Sequence, residues 1–325
     1  MQPSNRRIFM QSALALAAGG QFSVASAANA LPDGPVKIVV PYGPGGIGDY
    51  TGRLLSQFLS QKWPVKSLVE NRAGASGLIG GAFVKNAKAD GNTILMTSNT
   101  TVSAAHLLFK NVGYDAKKDF VHLGILGVFG SVALINPDAP FKTIPELVAY
   151  AGKHPGEVFY GYTNASSQVP AAMLSARANV KLEGVPYKES GRAIGDLMAG
   201  QVPLMFMDYV AATPHIAGGK VIPIAVTQTS RHAQWPNVPA LSEFYPQFEM
   251  SGYVAISAPT GLDPRMIEAF NELIRSAVKD TTVHGKLEAQ GLQTRDFDLE
   301  STNRFIDGET QKWAQYVKIA DIKPE

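Results

Sequence analysis

The sequence predicts an α/β fold of two lobes, each a mostly parallel sheet flanked by helices. Over residues 36–98, short runs rich in β-branched residues alternate with helical patterns, which is the βαβαβ order of a parallel sheet. A second set of alternating strands and helices covers residues 123–207. The stretches 264–278 and 302–319 are helical, so we expect these late helices to pack back on the first set.

The chain is expected to cross between the lobes twice, near residues 128–131 and 252–254. The first lobe is then discontinuous and comprises residues 31–128 and 253–325, while residues 129–252 form the second lobe. Short strands at the two crossings would act as a hinge around a cleft.

Composition excludes several classes of protein. The chain has 29 basic and 27 acidic residues and no cysteine among its 325 residues. The even charge predicts no nucleic-acid partner, and the lack of cysteine excludes disulfides and thiolate chemistry. The six histidines are scattered without metal-ligand spacing, and no catalytic motif such as GxSxG or HExxH occurs. We therefore expect a binding protein without catalytic residues, metal or cofactor.

Residues 1–30 are typical of an export signal. Arg6 and Arg7 precede an apolar stretch at 13–18, and small residues suit cleavage after Ala27 or Ala30. The paired arginines resemble a twin-arginine signal, although an ordinary secretory signal also begins with basic residues. Either route predicts a periplasmic mature protein.

The most informative motif is a glycine-rich loop between the first strand and the first helix, at residues 43–49. Free N–H groups and the positive end of the helix dipole would attract a carboxylate or phosphate there. Asp49 is interpreted as the helix N-cap, because its carboxylate would repel an anion. The candidate ligand contacts in this segment are Tyr42, Gly45, Gly46, Ile47 and Gly48.

The same loop allows a rival interpretation. Gly43, Gly45 and Gly48 satisfy GxGxxG, and Glu70 ends the next strand, where a dinucleotide fold places its ribose-binding acid. The chain could then be an exported NAD(P)-dependent oxidoreductase. Against this, Pro44 removes an N–H donor where a pyrophosphate needs one.

Further candidates follow other predicted strands, where open α/β sheets bind ligands. A loop at 71–77 and the polar run after the third strand belong to the first lobe. The paired serines at a helix start and the ends of two later strands belong to the second lobe. Hydroxyl groups in these segments also suit helix capping, and Lys188 is a possible counter-ion. The candidates are Ala75, Ser98, Asn99, Thr100, Ser166, Ser167, Gln168, Tyr187 and Asp208.

These motifs together resemble the extracytoplasmic solute receptors of the tripartite tricarboxylate transporter system, often called Bug receptors. The resemblance covers about residues 36–271 in unbroken order. Its main segments are Val39–Pro41 with Gly45 and Gly46, Val69–Arg72 with Gly74 and Gly77, Val185–Lys188, Gly200–Val202, Pro214–Ile216 and Ala225–Thr227.

The resemblance implies a type II periplasmic-binding-protein fold that closes like a Venus flytrap on a small carboxylate. It also implies a large and a small membrane transporter subunit as partners, and we expect the receptor to be a monomer. In the family, the first glycine loop and the helix start near the paired serines hold carboxylate oxygens. Those roles would fall on Gly45–Gly48 and on Ser166 and Ser167.

Departures from the family pattern bear on the ligand. Met207 stands where the family usually has Asp, with Asp208 one place later, and Tyr253 stands where Trp is frequent. Loss of an acid from the cleft would favour an aromatic or less polar carboxylate beside di- and tricarboxylates and amino acids. Three classes remain open: a carboxylate receptor, an exported nucleotide-dependent enzyme, and a ligand-sensing module for a signalling system.

Overall fold

A computed structural model describes residues 31–324. The predictions of a signal peptide, its route and its cleavage site lie outside these residues. The strands are β1 (Val36–Val40), β2 (Ser67–Asn71), β3 (Thr93–Ser98), β4 (Phe120–Phe129), β5 (Ser131–Ile135), β6 (Val158–Tyr162), β7 (Leu182–Pro186), β8 (Leu204–Asp208), β9 (Ile222–Val226), β10 (Gly252–Pro259) and β11 (Gln293–Thr294).

The helices alternate with the strands along most of the chain. They are α1 (Ile47–Lys62), α2 (Leu78–Lys85), α3 (Ala105–Leu108), α4 (Ala116–Asp119), α5 (Ile144–Lys153), α6 (Ala165–Ala178), α7 (Ser190–Met198), α8 (Tyr209–Ala217), α9 (Pro264–Lys279), α10 (Thr281–Glu288) and α11 (Leu299–Ile319).

Two separate sheets form the two lobes, which confirms the predicted α/β architecture. The first sheet has the order β11-β4-β10-β3-β1-β2 and the second the order β7-β6-β8-β5-β9. Both sheets are mixed, so the expectation of mostly parallel sheets is wrong. Among the named strands of residues 31–324, β1 pairs in parallel with β2 and β3, and β6 with β7 and β8. The strands next to the crossings run antiparallel to their neighbours.

The chain changes sheet at Gly130, between β4 and β5, and again ahead of β10. Both changes fall next to the expected crossings, while the lobe boundaries at 128 and 252 stay a prediction. A Cβ atom at Gly130 would lie 2.3 Å from the hydroxyl of Tyr209, so a larger residue does not fit at this crossing.

Each sheet is covered by apolar helix faces. Leu55, Phe58 and Leu59 of α1 pack in one cluster with Ile38 and other residues of the first sheet. This helix lies on the sheet because its apolar residues recur every three to four positions. The packing fixes the start of α1 at the carboxyl end of β1, where the glycine loop lies.

The last helix joins both lobes. Ile306 packs with Phe120 and Tyr253 of the first lobe, whereas Trp313 and Val317 join a cluster that contains Leu174 of α6 in the second. The end of α11 therefore contacts the second lobe as well, while the assignment of residues 253–325 to the first lobe stays a prediction. A 21-residue helix is about 30 Å long and reaches across the boundary.

A buried polar chain lies within the first sheet. The hydroxyl of Ser257 is 3.1 Å from that of Thr97 and 2.8 Å from Nδ1 of His122. Burial lowers the pKa of His122 to about 4, although Asp307 acts in the opposite direction. The imidazole is therefore neutral in the folded protein near neutral pH.

We predict that His122 makes the protein less stable as the pH falls from 6.5 towards 4. Its unfolded pKa is about 6.5, so in that window only the unfolded state binds the proton. The loss should reach about 2 kcal/mol between pH 7 and pH 5. Denaturant unfolding at both pH values should show this loss in the wild type. His154→Gln is the control and should show it too, because the ring of His154 is exposed. An equal loss in His122→Gln would contradict the prediction.

Candidate ligand-binding cleft

A cavity lies between the two sheets, with about 930 Å³ of empty space that includes its opening to solvent. It is lined from the first lobe by the ends of β1 and β3 and by the start of α1, and from the second lobe by the starts of α6 and α8. Ten residues predicted from the sequence line it: Tyr42, Gly46, Ile47, Gly48, Ser98, Asn99, Thr100, Ser166, Ser167 and Asp208.

Four predicted contacts do not line the cavity. Gly45 has a φ of +90° and its N–H donates to the carboxylate of Asp49, so Gly45 stabilises the loop and does not face the cavity. Ala75 lies in a tight turn whose neighbours face the cavity instead. Gln168 is one position past the paired serines on α6 and is buried in the lobe. The hydroxyl of Tyr187 donates to Asp196, 3.0 Å away.

Asp49 supports the glycine loop without capping the helix. Gly46 is the N-cap residue and α1 begins at Ile47, so the interpretation of Asp49 as the N-cap is wrong. As the third helical residue, Asp49 accepts hydrogen bonds from the N–H of Gly45 and from Arg53, both at 3.1 Å. Burial raises the pKa of Asp49, but its hydrogen bonds outweigh burial and lower it overall.

Asn71, at the end of β2, connects this loop to the first strand. Its side-chain amide donates to the carbonyl of Tyr42 and to Oδ1 of Asp49, both at 3.0 Å. Three chain segments are thus held together by one side chain. The position of the N–H groups at the start of α1 depends on this link.

Hydroxyl groups cluster at the end of β3. The hydroxyls of Tyr42 and Ser98 are 2.7 Å apart, and Ser98 also accepts from the N–H of Thr100 at 3.2 Å. Burial raises the pKa of Tyr42, so its phenol stays neutral. This wall of the cavity is polar but uncharged.

The second lobe presents the start of α6. Asn164 caps this helix by accepting from the N–H of Ser167, and the Ser167 hydroxyl accepts from the N–H of Thr163 at 2.9 Å. The N–H groups of the first turn have no acceptor within the helix, so those of Ala165 and Ser166 are available to an anion. The helix dipole adds a positive potential at the same point.

Direct hydrogen bonds join the lobes across the cavity at Asn99 and at Ser76. The side-chain amide of Asn99 donates to the Ser166 hydroxyl at 3.0 Å, and the Ser76 hydroxyl donates to the carbonyl of Thr163 at 3.2 Å. The molecule is therefore in a closed arrangement. Sequence reasoning missed Ser76 and Thr163, although each is within three residues of a predicted site residue.

Asp208 brings a carboxylate into the cavity from the second lobe. It is the N-cap of α8 and accepts from the N–H of Ala211 at 3.0 Å. Burial raises the pKa of Asp208, while N–H groups that include that of Ile47 lower it in part. Met207 also lines the cavity. The expectation that the shifted acid is lost from the cleft is therefore wrong, because position 208 still reaches it.

The features expected of a dinucleotide site do not come together. Glu70 pairs with Lys37 at 2.8 Å and with Arg72, and it does not line the cavity.

Within residues 31–324 no group of three His, Asp or Glu side chains is arranged to hold a metal ion. In that same part of the chain, no helix has the length and apolar character needed to cross a membrane.

Two lobes around a cleft lined by helix starts define a periplasmic binding protein, and solved structures agree. The periplasmic binding protein BugD matches with a TM-score of 0.84 and 27% identity, over 90% of this chain and all of BugD. An R. palustris protein with adipate matches with a TM-score of 0.87 and 25% identity, over 90% of this chain and 99% of that one.

The family is identified by sequence. The model of the tripartite tricarboxylate transporter family receptor matches residues 52–322. Protein BugT of Bordetella pertussis is 31% identical over 91% of this chain and 92% of its own length. The chain belongs to this receptor family, which confirms the resemblance, and it is a periplasmic solute-binding protein of the Bug type. The family and its structural neighbours are binding proteins and not enzymes.

We predict that Asn71→Ala lowers the free energy of unfolding by about 1–3 kcal/mol, because it removes the partly buried amide that donates to the carbonyl of Tyr42 and to Oδ1 of Asp49. Asn86→Ala is the matched control. Its amide binds a carbonyl of its own helix at the exposed surface, so it should change stability by at most about 0.5 kcal/mol. Equal losses in denaturant unfolding would contradict the supporting role of Asn71.

Proposed function

We propose that this receptor captures a small carboxylate in the cleft between its lobes and delivers it to a tripartite tricarboxylate-type membrane transporter. The observation that carries the proposal is the meeting of two helix starts, α1 and α6, from opposite lobes at one cavity. Each start offers main-chain N–H donors and a positive dipole end, which together suit an anion.

The cavity would bind a carboxylate through neutral hydrogen-bond donors, without a buried cationic side chain. Among the described residues, the charged side chains that line the cavity are Lys188, Glu189 and Asp208. Lys188 and Glu189 are exposed at its edge. Recognition would therefore depend on N–H groups, on hydroxyls and on the Asn99 amide. Such neutral donors bind a carboxylate well when the closed lobes exclude water.

Apolar side chains line the rest of the cavity. They include Ile47, Met96, Phe129, Met207 and Val254, and these five are buried. A ligand with an aliphatic or aromatic body would bury apolar area against them, worth about 25 cal/mol per Å². This supports a less polar carboxylate within the proposed range, which also includes di- and tricarboxylates and amino acids.

Binding would act by shifting the receptor towards its closed form. Asn99 and Ser166 lie on opposite lobes and bind each other in the closed arrangement, so a carboxylate between them could engage both. Ligand that binds the closed form more tightly increases its population. The narrow crossing at Gly130 is the proposed hinge, and the closed form is the one offered to the transporter subunits. We propose that the receptor acts as a monomer.

A thermal-shift screen tests the proposal with mono-, di- and tricarboxylates, aromatic acids, amino acids and NAD(P)H. Ligand at about 100 times its Kd stabilises the folded protein by about 2.7 kcal/mol, which raises the unfolding midpoint. We expect carboxylates of one class to do so. A shift with NAD(P)H alone would contradict the receptor and favour the dinucleotide-dependent enzyme.

A variant pair locates the site. Ser166→Ala removes a cavity hydroxyl and should weaken binding of the identified acid about tenfold, since a hydrogen bond to a charged group is worth about 1.5–3 kcal/mol. Ser242→Ala is the control, because its hydroxyl binds a main-chain carbonyl outside the cavity. Unchanged affinity in both variants would exclude the Ser166 hydroxyl from the site.

A further inference from the structure

The carboxylate of Asp208 already lies at the start of α1. Its Oδ1 accepts from the N–H of Ala211, in its own lobe, at 3.0 Å. The N–H of Ile47, the first residue of α1 in the other lobe, also interacts with this carboxylate. Oδ2 lies 3.5 Å from the point where a Cβ atom on Gly46 would be. The carboxylate is therefore held between two helix starts, one from each lobe.

This position is the one that a ligand carboxylate would take at the glycine loop. The N–H of Gly45, which precedes the helix, is bound to Asp49 and adds no free donor at the start of α1. A second anion at this point would lie within about 4 Å of the Asp208 carboxylate, and like charges at that distance repel strongly away from bulk water. Burial raises the pKa of Asp208, whereas the N–H groups of Ile47, Val210 and Ala211 around its oxygens lower it and favour the charged form. With these donors in place, the protein's own side chain acts as the anion of this half of the cleft.

The other half of the cleft has no such anion. Around the start of α6 the lining groups are the amide of Asn99 and the hydroxyls of Ser166 and Ser167, all of them uncharged. Glu189, the remaining acid of the cavity lining, is exposed at the edge. One anion site, at α6, is therefore free, and the other, at α1, is filled.

We infer that Asp208 makes the cleft selective for monocarboxylates against dicarboxylates, with the ligand carboxylate at the start of α6 and an uncharged end towards Asp208. This inference rests on the proposed function and names the ligand class of the same site. Met207 precedes Asp208 in the chain, and the N–H of Ile47 meets its carboxylate from the other lobe. Both side chains line the cavity and offer apolar contact to that uncharged end.

The test compares each monocarboxylate with the dicarboxylate that carries a second carboxylate at the opposite end of the molecule. Isothermal titration calorimetry measures the Kd of hexanoate and adipate, of butyrate and succinate, and of benzoate and terephthalate. For each pair that binds, we expect the wild type to bind the monocarboxylate at least about tenfold more tightly, as repulsion between two carboxylates in a partly buried site requires.

Asp208→Asn removes the charge and keeps the helix cap, since Asn caps as well as Asp. We expect it to reduce the preference for the monocarboxylate at least about tenfold, mainly by tighter dicarboxylate binding. Glu189→Gln is the matched control, because it removes the same charge from the exposed edge of the cavity and should leave the preference within about twofold, as solvent screening predicts. Asp208→Ser, which also caps, repeats the test in a second variant.

The outcomes separate the two proposals. Tighter binding of dicarboxylates by the wild type, or a preference that neither Asp208 variant changes, would overturn the inference and leave the carboxylate receptor standing. If none of the six acids binds and a tricarboxylate or an amino acid does, the inference is overturned and the carboxylate receptor stands. If none of the six acids binds and the thermal-shift screen responds to NAD(P)H alone, the proposed function falls and the inference with it. A preference that falls in both Asp208 variants but not in Glu189→Gln supports the inference.

Discussion

Main-chain N–H groups at the starts of α1 and α6 are the constraint on which the cleft depends. A helix leaves its first N–H groups without an internal partner, and a closed cleft withholds water from them. Each start must therefore find an acceptor in the opposite lobe, in its own cap or in a ligand. At α1 the acceptor is Asp208, whereas at α6 the cap Asn164 satisfies only part of the turn.

The supporting structure holds these two starts in place. The packing of α1 on the first sheet and the bonds of Asn71 fix one of them, and the capping box of Asn164 and Ser167 fixes the other. The direct bonds between the lobes are few and partly exposed, each worth about 1 kcal/mol. A closed form held this weakly can open by rotation at its crossings, while α11, packed on both lobes, limits how far they separate.

The sequence predicted the features that follow from local rules. A strand followed by glycines and a helix, and hydroxyls at strand ends, indicate a ligand site at the carboxyl edge of a sheet wherever the strands lie. Ten of the predicted contacts line the cavity for this reason. Ala75 and Tyr187 do not, because facing direction within a loop changes at every residue. The backbone at Ala75 and Ser76 has positive φ angles, which no local sequence pattern predicted.

Features set by distant contacts could not be predicted from local patterns. The pairing of Glu70 with Lys37 depends on the register of β1 and β2, and the reach of Asp208 to α1 depends on how the lobes close. A crystal structure of the complex with the tightest-binding acid tests the central claim most directly. The account predicts its carboxylate at the Ser166 N–H and the Asn99 amide, with Asp208 still bound to Ala211. A carboxylate on the N–H of Ile47, with Asp208 turned away, would contradict it.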